Sequence, residues 1–280
     1  MSDAAMKIEA LSAGYGAGCV LDGLDLEIER GSITAIVGAN ACGKSTLLRA
    51  MSRLLTPEAG QVLLDGRAIH AMPPRQLAQK LGLLPQSPIA PEGITVLDLV
   101  GRGRHPHQGL FGRWTATDDA AVAEALRLTG TETLAERAIE DLSGGQRQRV
   151  WIAMALAQQT GVLLLDEPTT FLDINHQIEV LDLLTDLNRE RGTTVVMVLH
   201  DLNLAARYAD RIVAMAAGKI HASGTPEDIL TEETVAEVFS LRARIIRDPV
   251  SGTPMMIPIG RHDLGELDGG HAGSAGGGMV

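Results

Sequence analysis

Gly38-Ala39-Asn40-Ala41-Cys42-Gly43-Lys44-Ser45-Thr46 sets two glycines, a lysine and two hydroxyl residues at the spacing Gly-x-x-x-x-Gly-Lys-Ser. These residue types suit a phosphorylated ligand. Glycines let backbone N–H groups close in on phosphate oxygens, and a helix N-terminus adds partial positive charge. Lys44 supplies a mobile cation for the β- and γ-phosphates of a nucleotide, and the Ser45 hydroxyl can ligate Mg²⁺. The pattern carries weight only between a strand and a helix. Here the apolar run Ile33 to Val37 precedes it and Leu47-Leu48-Arg49-Ala50-Met51 follows it.

Three further polar positions end apolar runs: Gln86 after Leu81 to Leu84, Asp166-Glu167 after Val162 to Leu165, and His200 after Thr194 to Leu199. Polar residues at strand C-termini are where an open α/β sheet places its ligand. Taken singly, Gln86 reads as a loop residue and His200 as a hydrogen-bonded structural one. The paired acids are harder to dismiss, because an unpaired buried charge is costly. Asp166 is placed to hold Mg²⁺, and Glu167 to accept a proton from an attacking water, which points to hydrolysis. Leu142-Ser143-Gly144-Gly145-Gln146 forms a second anion-seeking helix start, with Arg147 and Arg149 following but neither a lysine nor a metal ligand of its own.

The elements that must position these residues alternate in type. Ile8 to Leu11 and the strictly alternating Leu24 to Ile28 read as strands, with a turn at Ala13 to Gly16 that carries Tyr15, a residue able to stack on a purine. Gln61 to Leu64 is a strand, and Pro73 to Ala78 a short helix with proline in its first turn. Residues 87 to about 142 lose the strand signal. Thr95 to Val100, Asp118 to Leu128 with Thr117 as N-cap, and Glu132 to Ile139 read there as helices. Ser143-Gly144-Gly145 opens a helix through Trp151 and Leu156. Val162 to Leu165 has the apolar run of a strand buried on both faces of a parallel sheet. A helix from Ile174 to Arg191 repeats apolar residues at Ile178, Leu181, Leu184 and Leu187, and Arg211 to Met215 with Lys219 to Ala222 forms a closing strand pair. From Gly265 the chain is glycine-rich, as expected of a disordered tail.

Lys plus Arg number 24 against 35 Asp plus Glu, a net charge of −11 that argues against broad nucleic-acid binding. No apolar run reaches the ~18 residues of a membrane span, and the first residues lack the pattern of a signal peptide. The two cysteines, Cys19 and Cys42, suit a reducing cytoplasm better than a disulfide.

Together the phosphate loop, Leu142 to Gln146 and Asp166-Glu167 resemble the nucleotide-binding subunit of an ATP-binding-cassette (ABC) transporter, over residues 6 to about 240. The resemblance implies an α/β fold: a P-loop NTPase core with a RecA-like parallel sheet, an N-terminal antiparallel β-subdomain and a helical insertion. It divides the chain into 1–86 (first part of the core), 87–142 (helical signature subdomain), 143–260 (signature helix and remaining core) and 261–280 (tail). It implies ATP and Mg²⁺ as ligands. Phosphate and metal contacts fall on Gly38, Asn40, Ala41, Cys42, Gly43, Lys44, Ser45 and Thr46, and adenine stacking on Tyr15. Gln86 and Asp166 join Ser45 at the metal, Glu167 is the general base and His200 contacts the γ-phosphate. In that family Ser143, Gly144, Gly145 and Gln146 of one subunit close over the ATP of another in a head-to-tail dimer, with Asp173 in the loop that communicates across it.

Ala41-Cys42, Gly103 to Gln108, Trp151 to Met154 and Thr170 to Ile174 resemble ferric-siderophore importers, with haem and cobalamin importers as near relatives. His105 and Phe171 depart from the Tyr and Trp frequent in that group. The implied partners are a second copy of the chain, two transmembrane permeases and, indirectly, a substrate-binding protein, at the cytoplasmic face of the membrane. Arg104 to Trp114, including Leu110 and Phe111, is where the permease would dock. A soluble cassette of translation or DNA repair is the alternative from another class, and an exporter ATPase is a third.

Overall fold

The computed structural model describes residues 4–16, 18–109, 113–170 and 172–260. Leu110, Phe111, Phe171 and the tail 261–280 lie outside the described residues. Two strands, β1 (Ala4–Tyr15) and β2 (Gly18–Glu29), lead into β3 (Ile33–Gly38), the phosphate loop and helix α1 (Lys44–Met51). Then come β4 (Ala59–Leu64), β5 (Arg67–Ala68), α2 (Pro74–Ala78) and β6 (Leu81–Leu84). Helices α3 (Val96–Gly101) and α4 (Ala116–Leu128) occupy the next stretch, followed by α5 (Gly144–Ala157), β7 (Val162–Leu165), α6 (Ile174–Arg191) and β8 (Thr194–Val198). The chain continues through α7 (Leu202–Tyr208), β9 (Arg211–Ala216), β10 (Lys219–Gly224), α8 (Pro226–Ile229), α9 (Glu232–Phe239), β11 (Ala243–Arg247) and β12 (Pro254–Pro258).

The strands form an antiparallel sheet, β2-β1-β4-β5, a six-stranded sheet, β10-β9-β3-β8-β7-β6, and a C-terminal hairpin, β11-β12. In the larger sheet β9, β3, β8, β7 and β6 run parallel, and β10 pairs antiparallel to β9. Every residue of β3, β7 and β8 is buried. Side chains alternate across such strands, so both faces must be covered. Ile33, Ala35, Val37, Val195 and Met197 meet one core with α3, α4, α5 and α6. Ile36, Val196 and Val198 meet a second, formed with α1 and the antiparallel sheet. Through Leu47, Leu48, Ala50 and Met51, α1 is wedged into that second core, which fixes the direction of its N-terminus.

Three expectations change. Helix α4 starts from Thr115, not Thr117. Thr115 Oγ1 accepts from the Asp118 N–H, and the Asp118 carboxylate returns to the Thr115 N–H, a reciprocal cap that sets the start two residues earlier. Glu132 to Ile139 is not a helix but two single 3₁₀ turns, Glu132–Leu134 and Ile139–Asp141. Its backbone is committed elsewhere: Val96 N–H donates to Arg137 O, Leu97 N–H to Ala135 O, and Ile139 N–H to Ile94 O. Arg104 is not a surface contact. It is 3% exposed and donates to Asp118 Oδ1 at 2.9 Å, Ala157 O at 2.7 Å and Gln159 Oε1 at 3.0 Å, bracing the C-terminus of α5.

Candidate active site

The phosphate loop has a conformation that requires glycine at two of its positions. Gly38 has φ 155° and Gly43 φ 109°, and a Cβ on Gly38 would stand 2.3 Å from Met215 O, one on Gly43 2.8 Å from Leu21 Cδ2. Gly43 caps α1 in a left-handed conformation with no side-chain hydrogen bond. The first N–H groups of a helix lack acceptors within it, so α1 opens with donors left for a ligand. The Lys44 side chain folds over the loop and donates to Gly38 O and Ala39 O, both at 2.9 Å. Cys42 is buried, with its Sγ against Gly38.

Asn40, Ala41, Gly43, Lys44, Ser45, Thr46, Gln86, Glu167 and His200 line one cleft of about 560 Å³. The parallel register delivers them: Asp166-Glu167 follows β7, Gln86 lies just beyond β6 and His200 just beyond β8. Ser45 Oγ donates to Asp166 Oδ1 at 3.1 Å. Burial pushes the Asp166 carboxyl above its ordinary range, only partly offset by the Ser45 bond. Glu167 adopts φ 55°, a left-handed conformation that costs a non-glycine residue ~1–3 kcal/mol and clusters at functional sites. Its carboxylate takes Gln86 Nε2 at 2.8 Å, Thr170 Oγ1 at 2.9 Å and His200 Nε2 at 2.7 Å. Burial raises the Glu167 pKa, but the bonds from His200, Thr170 and Gln86 outweigh it and hold the group below its ordinary value.

Other expected site residues stand apart. Tyr15 is 48% exposed, and its hydroxyl accepts from Arg49 Nη1 at 3.0 Å, so α1 holds the ring. Val20 of β2 lines the cleft instead, a residue that no motif marks. Ser143, Gly144, Gly145, Gln146 and Asp173 do not line it. Ser143 and Gln146 close a reciprocal cap on α5: Gln146 N–H donates to Ser143 Oγ at 3.3 Å, and Ser143 N–H to Gln146 Oε1 at 3.1 Å. Asp173 caps α6 by accepting the His176 N–H at 2.9 Å. Thr170 and His176 are the polar residues that sequence reading passed over; their i+3 offsets from Glu167 and Asp173 are the available signal. A second cleft, of about 780 Å³, runs through the helical region, lined by Ile94, Leu97, His105, Trp114, Val122 and Leu126 among others.

A glycine-bounded loop joining a buried parallel strand to a helix, with acids ending a neighbouring strand, defines a P-loop nucleotide-binding α/β protein. The chain belongs to the ABC transporter family, whose model matches residues 21–170. A probable siderophore transport system ATP-binding protein, YusV of Bacillus subtilis (strain 168), is 52% identical over 261 residues, 93% of this chain and 95% of that one. The ferric enterobactin transport ATP-binding protein FepC of Escherichia coli (strain K12) is 52% identical over 260 residues, 93% of this chain and 96% of that one. A solved ATP-binding cassette, dimeric in a post-hydrolysis state with ADP and Pi bound, matches with a TM-score of 0.70 at 30% identity, covering 79% of this chain and 98% of that one. The chain is thus an ABC ATPase, and no helix among the described residues is long and apolar enough to cross a membrane.

Proposed function

We propose that this chain is the ATP-hydrolysing subunit of a ferric-siderophore importer, working as a head-to-tail pair beneath two permease subunits at the cytoplasmic face of the membrane. The observation that carries hydrolysis is the Glu167 carboxylate, held by Gln86, Thr170 and His200 in the same cleft as Lys44 and Ser45. Glu167 takes the proton of the attacking water, His200 and Gln86 orient around the γ-phosphate, and Tyr15 supports the adenine. The cargo is supported by relatives at 52% identity whose names carry siderophore and ferric enterobactin transport.

A Mg²⁺ ion fits the residues present. The hydroxyl of Ser45 and the carboxylate of Asp166 are hard oxygen donors 3.1 Å apart, and among the described residues no cluster of three His, Cys, Asp or Glu side chains could hold a metal without help. That is the donor set of a cation bound through one carboxylate and the nucleotide's own phosphates. When bound, the ion neutralises charge that develops on the phosphates. Ser45, Asp166 and Gln86 would hold it.

The cleft contains no residue of Ser143–Gln146, so one chain does not close it. A second copy supplies that turn, and with it Asp173. Residues 87–142 act as the signature subdomain, and the groove beside Leu97, His105 and Trp114 takes a segment of the permease. Deleting the subunit from its host tests the cargo. Uptake of a radiolabelled ferric siderophore is expected to stop and to return with the wild-type chain; unchanged uptake in a host with no second cassette would reject the assignment.

A further inference from the structure

Asp173 and the Ser143–Gln146 turn belong to different elements, and the side chain of His176 lies between them. His176 sits in the first turn of α6. Its Nδ1 is 2.7 Å from Asp173 Oδ1, the same oxygen that accepts its own backbone N–H at 2.9 Å. The other face of the contact is steric. A Cβ built on Gly145 would stand 3.2 Å from both Cγ and Cδ2 of the His176 ring and 3.4 Å from Nδ1. The imidazole therefore rests on the bare backbone of the signature turn while it holds the Asp173 carboxylate.

The same helix pair is joined again one turn further along. Arg149 Nη1 of α5 meets Glu179 Oε2 of α6 at 2.6 Å, and Gln148 Nε2 donates to Pro168 O, next to Glu167, at 2.9 Å. Residues 145 and 149 share a face of α5, as do 176 and 179 of α6. The consequence shows on the surface. Ser143, Gly144, Asp173 and Ile174 are all exposed, Ile174 at 78% although it is a large apolar residue.

We propose that His176 is a positioning residue that locks the Asp173 turn to the signature turn of the same subunit, so that both reach the partner's nucleotide as one rigid surface. The inference rests on the two-copy reading above. It also gives Gly145 a second duty: besides opening backbone to an anion, it leaves room for the ring.

The test uses the full-length chain carrying His176→Ala or His176→Asn, the latter because an Asn amide can donate from about the position of Nδ1. Three quantities are read: ATP affinity of the single subunit, ATP-driven dimerisation in a Glu167→Gln background by light scattering, and kcat. For His176→Ala the ATP affinity is expected to stay within about twofold, while kcat falls by ~10- to 10²-fold, as displaced catalytic geometry does, and dimerisation weakens. His176→Asn is expected to recover most of both at a thermal midpoint equal to that of His176→Ala. Unchanged kcat and dimerisation in His176→Ala would overturn the proposal. So would an Asn variant no better than Ala, with activity tracking the thermal midpoint, since that marks plain packing. Failure of the Glu167→Gln parent to dimerise with ATP would instead remove the two-copy reading, and this proposal with it.

Discussion

Two helix N-termini in this molecule seek anions, and they are finished in opposite ways. Helix α1 starts from Gly43, in a left-handed conformation with no side-chain cap, so its first N–H groups face the cleft unserved by protein. Helix α5 starts from Ser143, whose hydroxyl and the Gln146 amide cap each other's backbone N–H groups. The α1 end leaves its first N–H groups to a ligand, whereas the α5 cap satisfies those of Ser143 and Gln146 and leaves those of Gly144 and Gly145. On the two-copy reading proposed above, the first site takes the nucleotide within one subunit and the second is conditional, engaged when another copy brings a phosphate to it.

The largest effects are expected at α1 and at the acid facing it. Glu167→Gln should lower turnover by ~10²–10⁴-fold while equilibrium ATP binding persists. Near wild-type turnover would remove Glu167 as the base. Lys44→Ala should cost binding itself, because it deletes the cation now folded onto Gly38 O and Ala39 O. A titration with unchanged ATP affinity would contradict that role.

A glycine exchange separates the two ends more finely. Gly43→Ala forces φ 109° on a residue with a Cβ and sets that atom against Leu21. A stability loss of ~1–3 kcal/mol is expected, together with lost ATP binding. Gly144→Ala meets nothing within 4 Å, so the subunit should keep its thermal midpoint and its ATP affinity. Its turnover should nevertheless fall, since the added methyl would face the partner's nucleotide. If Gly144→Ala leaves turnover intact, the conditional site does not touch nucleotide. Alkylation of Cys42 lies between these cases. The thiol is buried against Gly38, so modification should be slow in the folded chain and, once complete, should block ATP binding. Full binding by a chain modified at Cys42, verified by mass spectrometry, would contradict it.

The sequence made the α1 end legible because its chemistry is written contiguously: glycines, lysine and hydroxyls within one loop, flanked by apolar runs that had to be strand and helix. Asp166-Glu167 and His200 were legible for a related reason, because they end fully buried strands that are apolar but for Thr194. What escaped depends on contacts between distant segments. Glu132 to Ile139 has helical periodicity, yet its backbone bonds to residues 94–97. Arg104 opens the stretch expected to dock the permease, and only its bonds to Asp118 and Ala157 O show it to be buried. The elements α8 and α9 are four and eight residues long, too short for periodicity to mark. Thr170 and His176 were passed over because each acts through another side chain.

The smallest expected effect on nucleotide binding concerns the far end of α5, and it separates the two helices by pH. Asp118 is hydrogen-bonded by Arg104, which holds its carboxyl below the ordinary value of 3.8, with help from the Thr115 hydroxyl and against the cost of burial. A carboxylate with a depressed native pKa stabilises the fold fully above its unfolded pKa and loses that contribution as pH falls through the native one. The pair is 3% and 6% exposed, so breaking it should cost ~3–5 kcal/mol near neutrality. Thermal midpoints of the wild type and Asp118→Asn should therefore differ by a constant amount from pH 7 down to about 5, and converge below 3.8. Because Arg104 also holds Ala157 O, the variant should loosen α5 and leave the phosphate loop as it is. Its ATP affinity at pH 7 should match the wild type while its turnover drops. Equal losses of both would mean that the two helix ends are not mechanically separate.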